Sequence, residues 1–299
     1  MISNMKYLKY LAYFLLITAM IIIVAYVTLS LSDSAVCCSI KTNLSTNIGD
    51  FSWGTIGILL TFISTLFMFL TFNFQQKQFK ETKDDAFRTR FEGTFFNMIS
   101  ILYNVRTEAD RQIAYSKKEE KANLKSFYIS LKKKYEEKIK SDPDFAHAMN
   151  DMEKENVLST EIQTALYDLG AFYDKYVQEQ KCNAGFYFRF VHNLVTFVLL
   201  HWKDSPNDIH MYLNFIQAQM SDEELALVFY DSISNRGLDK NRQYTFKNNL
   251  DKYSFLENIP ESTLLRRCHY KIFPKTMFGF LNEDERKKIK SGQTDKPVL

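Results

Sequence analysis

Hydrophobic residues run without a charge in two places. Tyr10 to Leu31 and Trp53 to Phe74 are each 22 residues long, and neither holds an ionisable acid or base. At 1.5 Å of rise per residue, a helix of that length covers about 33 Å, enough for a hydrocarbon core of about 30 Å. Both are expected to be transmembrane helices. Trp53 suits the membrane–water interface, where an indole keeps its ring apolar and its N–H wet. The first run exceeds the ~7–15 apolar residues of a signal-peptide core, and Asp33-Ser34-Ala35 lacks a small residue at the upstream cleavage position, so retention is expected over cleavage. The expected first domain is residues 1–74, with spans at 10–31 and 53–74 and an outer loop over 32–52.

Past Phe74 the pattern takes the period of an amphipathic helix. Phe87, Phe91, Phe95, Met98, Leu102 and Val105 recur at steps of three and four and form one core-facing stripe. No proline interrupts Trp53 to Asp142, so the second span can run straight into this helix, with Gly93 as the place for a break. Leu124, Phe127, Tyr128, Leu131, Tyr135 and Ile139 mark the next apolar face, which Pro143 ends. Leu158, Ile162, Ala165, Leu169, Phe172 and Tyr176 mark another. Phe186 to Trp202 is strongly apolar but only 17 residues long, and it contains Arg189, His192 and Asn193. It is predicted to be a buried core helix rather than a third span.

Pro206 separates that helix from one at Ile209 to Met220. Ser221-Asp222-Glu223-Glu224 is a capping box, Ser and Glu serving the first free amides. The helix it opens is expected to end at Asn235-Arg236-Gly237, with glycine in a left-handed cap. Leu238 to Asp251 reads as a loop plus a short helix, Asn282 to Lys290 as a last helix, and 291–299 as a flexible tail. The expected fold class is all-α: an N-terminal two-helix transmembrane hairpin followed by a cytoplasmic helical domain over 75–290.

Composition agrees with helices. Nine Gly and five Pro are too few turn formers for a β-sandwich or barrel, and 15% aromatic residues supply bulky core. Four cysteines exclude a disulfide-stapled scaffold. Cys37 and Cys38, in the outer loop, read as incidental thiols ahead of an intersubunit disulfide. Cys182 and Cys268 are expected to be small core residues.

Net charge is +3, too little to argue for nucleic-acid binding. Its distribution sets an orientation. Lys6 and Lys9 precede the first span and only Lys41 lies in the loop, whereas Lys77, Lys80, Lys83, Arg88 and Arg90 follow the second span. Both termini are therefore expected on the cytoplasmic side of a multi-pass membrane protein. Arg111 to Lys140 holds ten basic and four acidic residues. A solvated helix face is the first reading of such a run. Anionic headgroups or direct nucleic-acid contact are the alternatives.

The second span carries Gly54, Gly57, Thr61, Ser64, Thr65 and Thr71 at steps that place them on one stripe. Small and hydroxyl side chains let helices approach closely. The stripe fits packing within the hairpin, an oligomer contact or a pore lining. The absence of ionisable groups argues against a proton relay.

Motifs of phosphate, dinucleotide, zinc-protease and serine-hydrolase chemistry are absent, and no CxxC pair occurs. His192, His201 and His210 are nine apart with Pro206 between, so they do not converge on a metal. Helical ribonucleases of the HEPN type are similar in composition, but they place His four to six residues after Arg. Arg189 to His192 and Arg266 to His269 are too close for that. The expectation is a non-enzyme with no cofactor and no metal.

Three motifs carry a resemblance. Glu92-Gly93-Thr94-Phe95-Phe96-Asn97-Met98 holds a Phe-Phe-Asn core. Phe188-Arg189-Phe190-Val191-His192-Asn193-Leu194 is an aromatic-Arg-aromatic helix. Gln217-Ala218-Gln219-Met220-Ser221-Asp222-Glu223-Glu224-Leu225 is followed by Phe229-Tyr230-Asp231. Over residues 85–240 the chain resembles the AbiC-like phage abortive-infection family of bacterial membrane proteins. It departs from the family's Arg at Gln217 and from its Asn at Asp231. The resemblance implies that Phe95, Phe96, Asn97, Arg189, His192, Gln217, Gln219, Ser221, Glu224 and Tyr230 are family positions, and it supplies no catalytic residue. It implies an antiphage effector that senses infection through its cytoplasmic domain and disrupts the inner membrane. A passive anchored interaction module and a degenerate HEPN-like ribonuclease toxin are the alternatives. Similar two-span effectors occur in retrons and beside nucleotide-signal synthases. The implied partners are the lipid bilayer, further copies of the chain, and a reverse transcriptase with its RNA and DNA or a nucleotide signal.

Overall fold

The computed structural model describes residues 41–154, 158–180, 184–202 and 206–292, with ten helical positions between Tyr10 and Thr28. The rest of the first apolar run, Cys37, Cys38, Cys182 and residues 293–299 lie outside the described residues. Among the described residues every regular element is a helix and no strand occurs. In chain order the α-helices are α1 (Lys41–Lys117), α2 (Leu124–Ser141), α3 (Pro143–Asp151), α4 (Ser159–Gln180), α5 (Gly185–His201), α6 (Pro206–Gln217), α7 (Asp222–Ser232), α8 (Thr245–Lys252) and α9 (Glu283–Gly292). Short 3-10 turns lie at Asn235–Gly237, Glu261–Thr263 and Arg267–Ile272.

Helix α1 starts well before Trp53, so residues 41–52, expected in a loop, are helical. It also passes Gly93 without a break. A single glycine weakens a helix interior by only about 0.5–1 kcal/mol, and no proline forces an end.

The chain divides into two compact units, Met1–Thr89 and Arg90–Leu299. In the first, α1 beyond Gly57 is long and apolar enough to cross a membrane, one such helix among the described residues. Its large side chains face outward: Ile58 is 73% and Met68 75% exposed.

The second unit holds one continuous hydrophobic core. The last part of α1 contributes Phe91, Phe95 and Leu102, all buried, with Met98 and Val105 packed against them. Phe87 belongs to the expected stripe but lies in the first unit and is exposed. Helices α2 and α3 start on side-chain caps. Asn123 accepts from the Ser126 amide at 3.0 Å, and Asp142 accepts from the Phe145 amide at 3.0 Å, with Pro143 at the first helical position.

Helix α7 is the centre of this unit. Every residue from Glu224 to Ser232 is buried, including polar Glu224, Asp231 and Ser232. Its middle, Leu225 to Tyr230, is apolar on all sides, the pattern of a helix enclosed by others. Packed around it are α2, α4, α8 and two of the 3-10 turns. The expected left-handed cap at Gly237 is absent, since no glycine has a positive φ among the described residues. The helix ends at Ser232 and the chain turns through Asn235–Gly237. Gly237 is required there for close approach: a Cβ would sit 2.1 Å from the Ser232 carbonyl oxygen.

Candidate functional site

The capping box that opens α7 extends into a polar cluster. Glu224 accepts from the Ser221 backbone N–H at 2.7 Å, and Ser221 Oγ accepts from the Glu224 N–H at 3.2 Å. The other carboxylate oxygen, Oε1, accepts from the Tyr187 hydroxyl at 3.0 Å and pairs with Arg106 Nε at 2.7 Å. Arg106 also donates to the backbone carbonyl of Gln219. Helices α1, α5 and α7 therefore converge on one buried carboxylate. Burial, reinforced by Glu224, holds the Tyr187 hydroxyl well above the usual phenol range, so it stays a donor. Glu223 meets Lys125 of α2 at 2.8 Å, and Asp110 of α1 accepts from the Leu124 amide at the start of α2.

Gln217 closes the neighbouring corner. It is buried, donates to the Phe255 carbonyl at 2.8 Å and accepts from Asn258 at 2.7 Å. A glutamine amide satisfies both groups, where a guanidinium has no acceptor to offer Asn258.

At the far end of α7, Asp231 is buried, and its Oδ1 has no hydrogen-bond partner among the described residues. Burial pushes its carboxyl up to about 7. Nearby Arg236 opposes that rise, Asp174 adds to it, and Arg189 opposes it more weakly. The buried Tyr173 hydroxyl, in the same electrostatic neighbourhood, is also without a partner among the described residues. Asp174 is occupied by the backbone and side-chain N–H groups of Asn235 at 2.9 and 2.7 Å. Gly170 lets α4 approach this turn, since a Cβ there would lie 2.4 Å from the Ile233 carbonyl.

A third polar chain threads the core. His269 is fully buried between Tyr230, 3.0 Å from Nδ1, and Tyr135, 3.3 Å from Nε2. The Tyr230 hydroxyl accepts from the Leu265 amide at 2.7 Å. Burial, with Arg266 close by, pushes the histidine down to about 3. Neutral near pH 7 and out of reach of solvent, it ties elements together.

The remaining sequence candidates are scattered. Phe95 is buried, whereas Phe96 and Asn97 face outward. In the aromatic-Arg helix, expected to be a buried core helix, Phe188 and Leu194 are buried, Phe190 is half-buried against the core and Arg189 is exposed. His192 stacks on Phe246 with ring centres 4.2 Å apart, His201 on Phe197 at 4.7 Å, and His210 meets Tyr253 edge-on, three separate surroundings. Cys268 is buried, and burial pushes its thiol up to about 11. Much of the basic run is paired: Lys134 with Glu137 at 3.4 Å and Lys138 with Asp142 at 2.5 Å, beside Lys125 with Glu223.

Gly54, Gly57, Thr61, Ser64, Thr65 and Thr71 are all exposed on α1. Thr61 donates to the Gly57 carbonyl and Thr65 to the Thr61 carbonyl, each at 2.8 Å, so these hydroxyl protons are spent on their own helix. What the stripe offers a neighbour is small size.

Residues 180–264 match the family described as "Putative phage abortive infection protein". The matched stretch holds the aromatic-Arg helix, Gln217, the Ser221–Glu224 box and Tyr230; the Phe95-Phe96-Asn97 motif precedes it. The match supports an AbiC-like family and a role in phage defence. No curated protein and no solved structure matches the chain.

Proposed function

We propose, taking the abortive-infection match as premise, that this chain is a membrane-anchored effector of phage defence. Its first unit is a two-span hairpin in the bacterial inner membrane, with both termini and the helical domain on the cytoplasmic side. Its second unit receives the infection signal, from a defence partner or a nucleotide, and the hairpins of several copies then breach the bilayer. The action requires no catalysis and no cofactor.

The observation that carries this reading is the coat of α1. From Ile58 to Phe74 it presents Ile, Phe and Met side chains outward, with no charge along the stretch. Such a surface is stable in hydrocarbon and not in water. The small-residue stripe on the same helix gives a second copy a place to pack closely.

Replacing Thr61, Ser64 and Thr65 together by Leu keeps the span apolar and fills the close contact. Wild-type cells challenged with phage should lose membrane potential within the infection cycle, as read by a potential-sensitive dye. The triple variant should insert to the same level and depolarise far less. Protection from phage with an undisturbed potential would rule out membrane damage. The chain would then be an anchored interaction module.

A further inference from the structure

We propose that the face of α1 from Gly93 to Thr107 is a seam at which the helical domain pairs with a second copy of itself, parallel and in register. This seam lies in the second unit and stands apart from the membrane-damage reading.

Nine positions from Gly93 to Thr107 are exposed and none is charged, in a chain with 24% charged residues. Among exposed positions charge returns at Arg90 on one side and at Arg111 on the other, while Glu92, Arg106 and Glu108 are half-buried. The face is also rich in large side chains: Phe96 is 49%, Ile101 39% and Tyr103 68% exposed. A water-facing helix surface normally carries the charges that keep it solvated.

The exposed residues repeat every seven. Gly93, Ser100 and Thr107 form one row, Asn97 and Asn104 a second, and Phe96 and Tyr103 a third. With asparagine at the first heptad position, the small row falls at the fourth and the aromatic row at the seventh. The first and fourth are the seam positions of a two-stranded coil, and the seventh flanks them. The buried residues Phe95 and Leu102 take the position diametrically opposite and go to the domain's own core. One helix thus serves two interfaces.

Gly93 gives an independent sign. A Cβ placed there meets nothing within 4 Å. Nothing in the described chain uses the missing side chain, although glycine weakens a helix interior. A helix laid against this face uses it, because small residues at the seam allow close approach.

The chemistry selects the occupant. A lipid surface would call for Lys or Arg and would not tolerate two buried amides. A charged partner would find no opposite charge here. An asparagine amide, both donor and acceptor, is its own complement, and paired seam asparagines fix register and favour two strands. Only parallel, in-register pairing of identical helices sets Asn97 against Asn97 and Asn104 against Asn104.

The test is disulfide cross-linking of the full chain in inner-membrane vesicles, with Cys37→Ser and Cys38→Ser as the parent. Asn97→Cys and Asn104→Cys, both at exposed sites, should each give at least about fivefold more covalent dimer than the parent. Lys133→Cys, exposed on α2, should not. Adding Ser100→Lys to Asn104→Cys should cut the dimer by about fivefold, since it sets lysine against lysine. Dimer no stronger than the parent's, equal dimer at Lys133→Cys, indifference to Ser100→Lys, or capture of a different protein by these cysteines would each overturn the proposal.

Discussion

Arg106 on α1 and Glu224 on α7 meet at 2.7 Å, the carboxylate almost wholly buried and the guanidinium only partly open to solvent. The cap of the central helix is therefore held by a residue of the long helix. A buried pair is weak evidence of net stabilisation, because desolvation offsets attraction, but breaking one half of it is costly. Arg106→Met should destabilise the domain by about 3–5 kcal/mol by leaving Glu224 charged with two hydrogen bonds only. Arg106→Met combined with Glu224→Gln should recover part of that loss. Thermal unfolding of the detergent-solubilised chain, followed by circular dichroism, measures both.

Asp231 should make stability fall as pH rises. Its carboxyl sits near 7 in the folded chain against an ordinary value of 3.8. Between those values the folded state holds a proton that the unfolded state has released, so each step up in pH favours unfolding. Above about 7 the loss is complete and the curve flattens. Asp231→Asn removes the ionisation, so its melting temperature should exceed that of the wild type by more at pH 8 than at pH 5. A constant difference across that range would show that Asp231 does not titrate in the folded chain.

Gly237→Ala should cost about 1–3 kcal/mol, the range for overpacking, because the new methyl group meets the Ser232 carbonyl. Gly279→Ala is the matched control. Its Cβ would stand 3.6 Å from the Glu257 carbonyl, an ordinary contact. Urea unfolding midpoints of the two variants should separate accordingly.

Orientation is read with an impermeant thiol reagent on spheroplasts. Cys37 and Cys38 should label, while Cys182 stays protected until the membrane is permeabilised and the buried Cys268 stays protected throughout. Labelling of Cys182 or Cys268 in sealed spheroplasts would reverse the assigned topology.

The helices were legible wherever local chemistry decides. The Ser221–Glu224 box, the proline at 143 and the Phe91–Phe95–Leu102 stripe each fix an element through neighbours a turn away. The end of α7 was misread because glycine after a helix usually signals a left-handed cap. Here it answers to Ser232's carbonyl and to the path of the chain into a 3-10 turn. Arg106 was invisible as the partner of Glu224, since nothing local ties an arginine of one helix to the cap of another. Asp231 stood out only as a departure from the family's Asn, and nothing local in the sequence shows that its carboxyl is buried. Phe190 had the same apolar signal as Phe188. Two residues apart on one helix, they point about 200° away from each other, so the face that buries Phe188 leaves Phe190 at the edge of the core.

From Glu224 to Ser232, helix α7 has no side turned to water. A sequence change along Glu224–Ser232 must therefore be answered by changes in several neighbouring helices at once, whereas an exposed residue such as Lys133 of α2 can change alone. In a contest with phage, where selection favours rapid turnover of whatever an invader touches, such a protein can renew its exterior while its axis stands still.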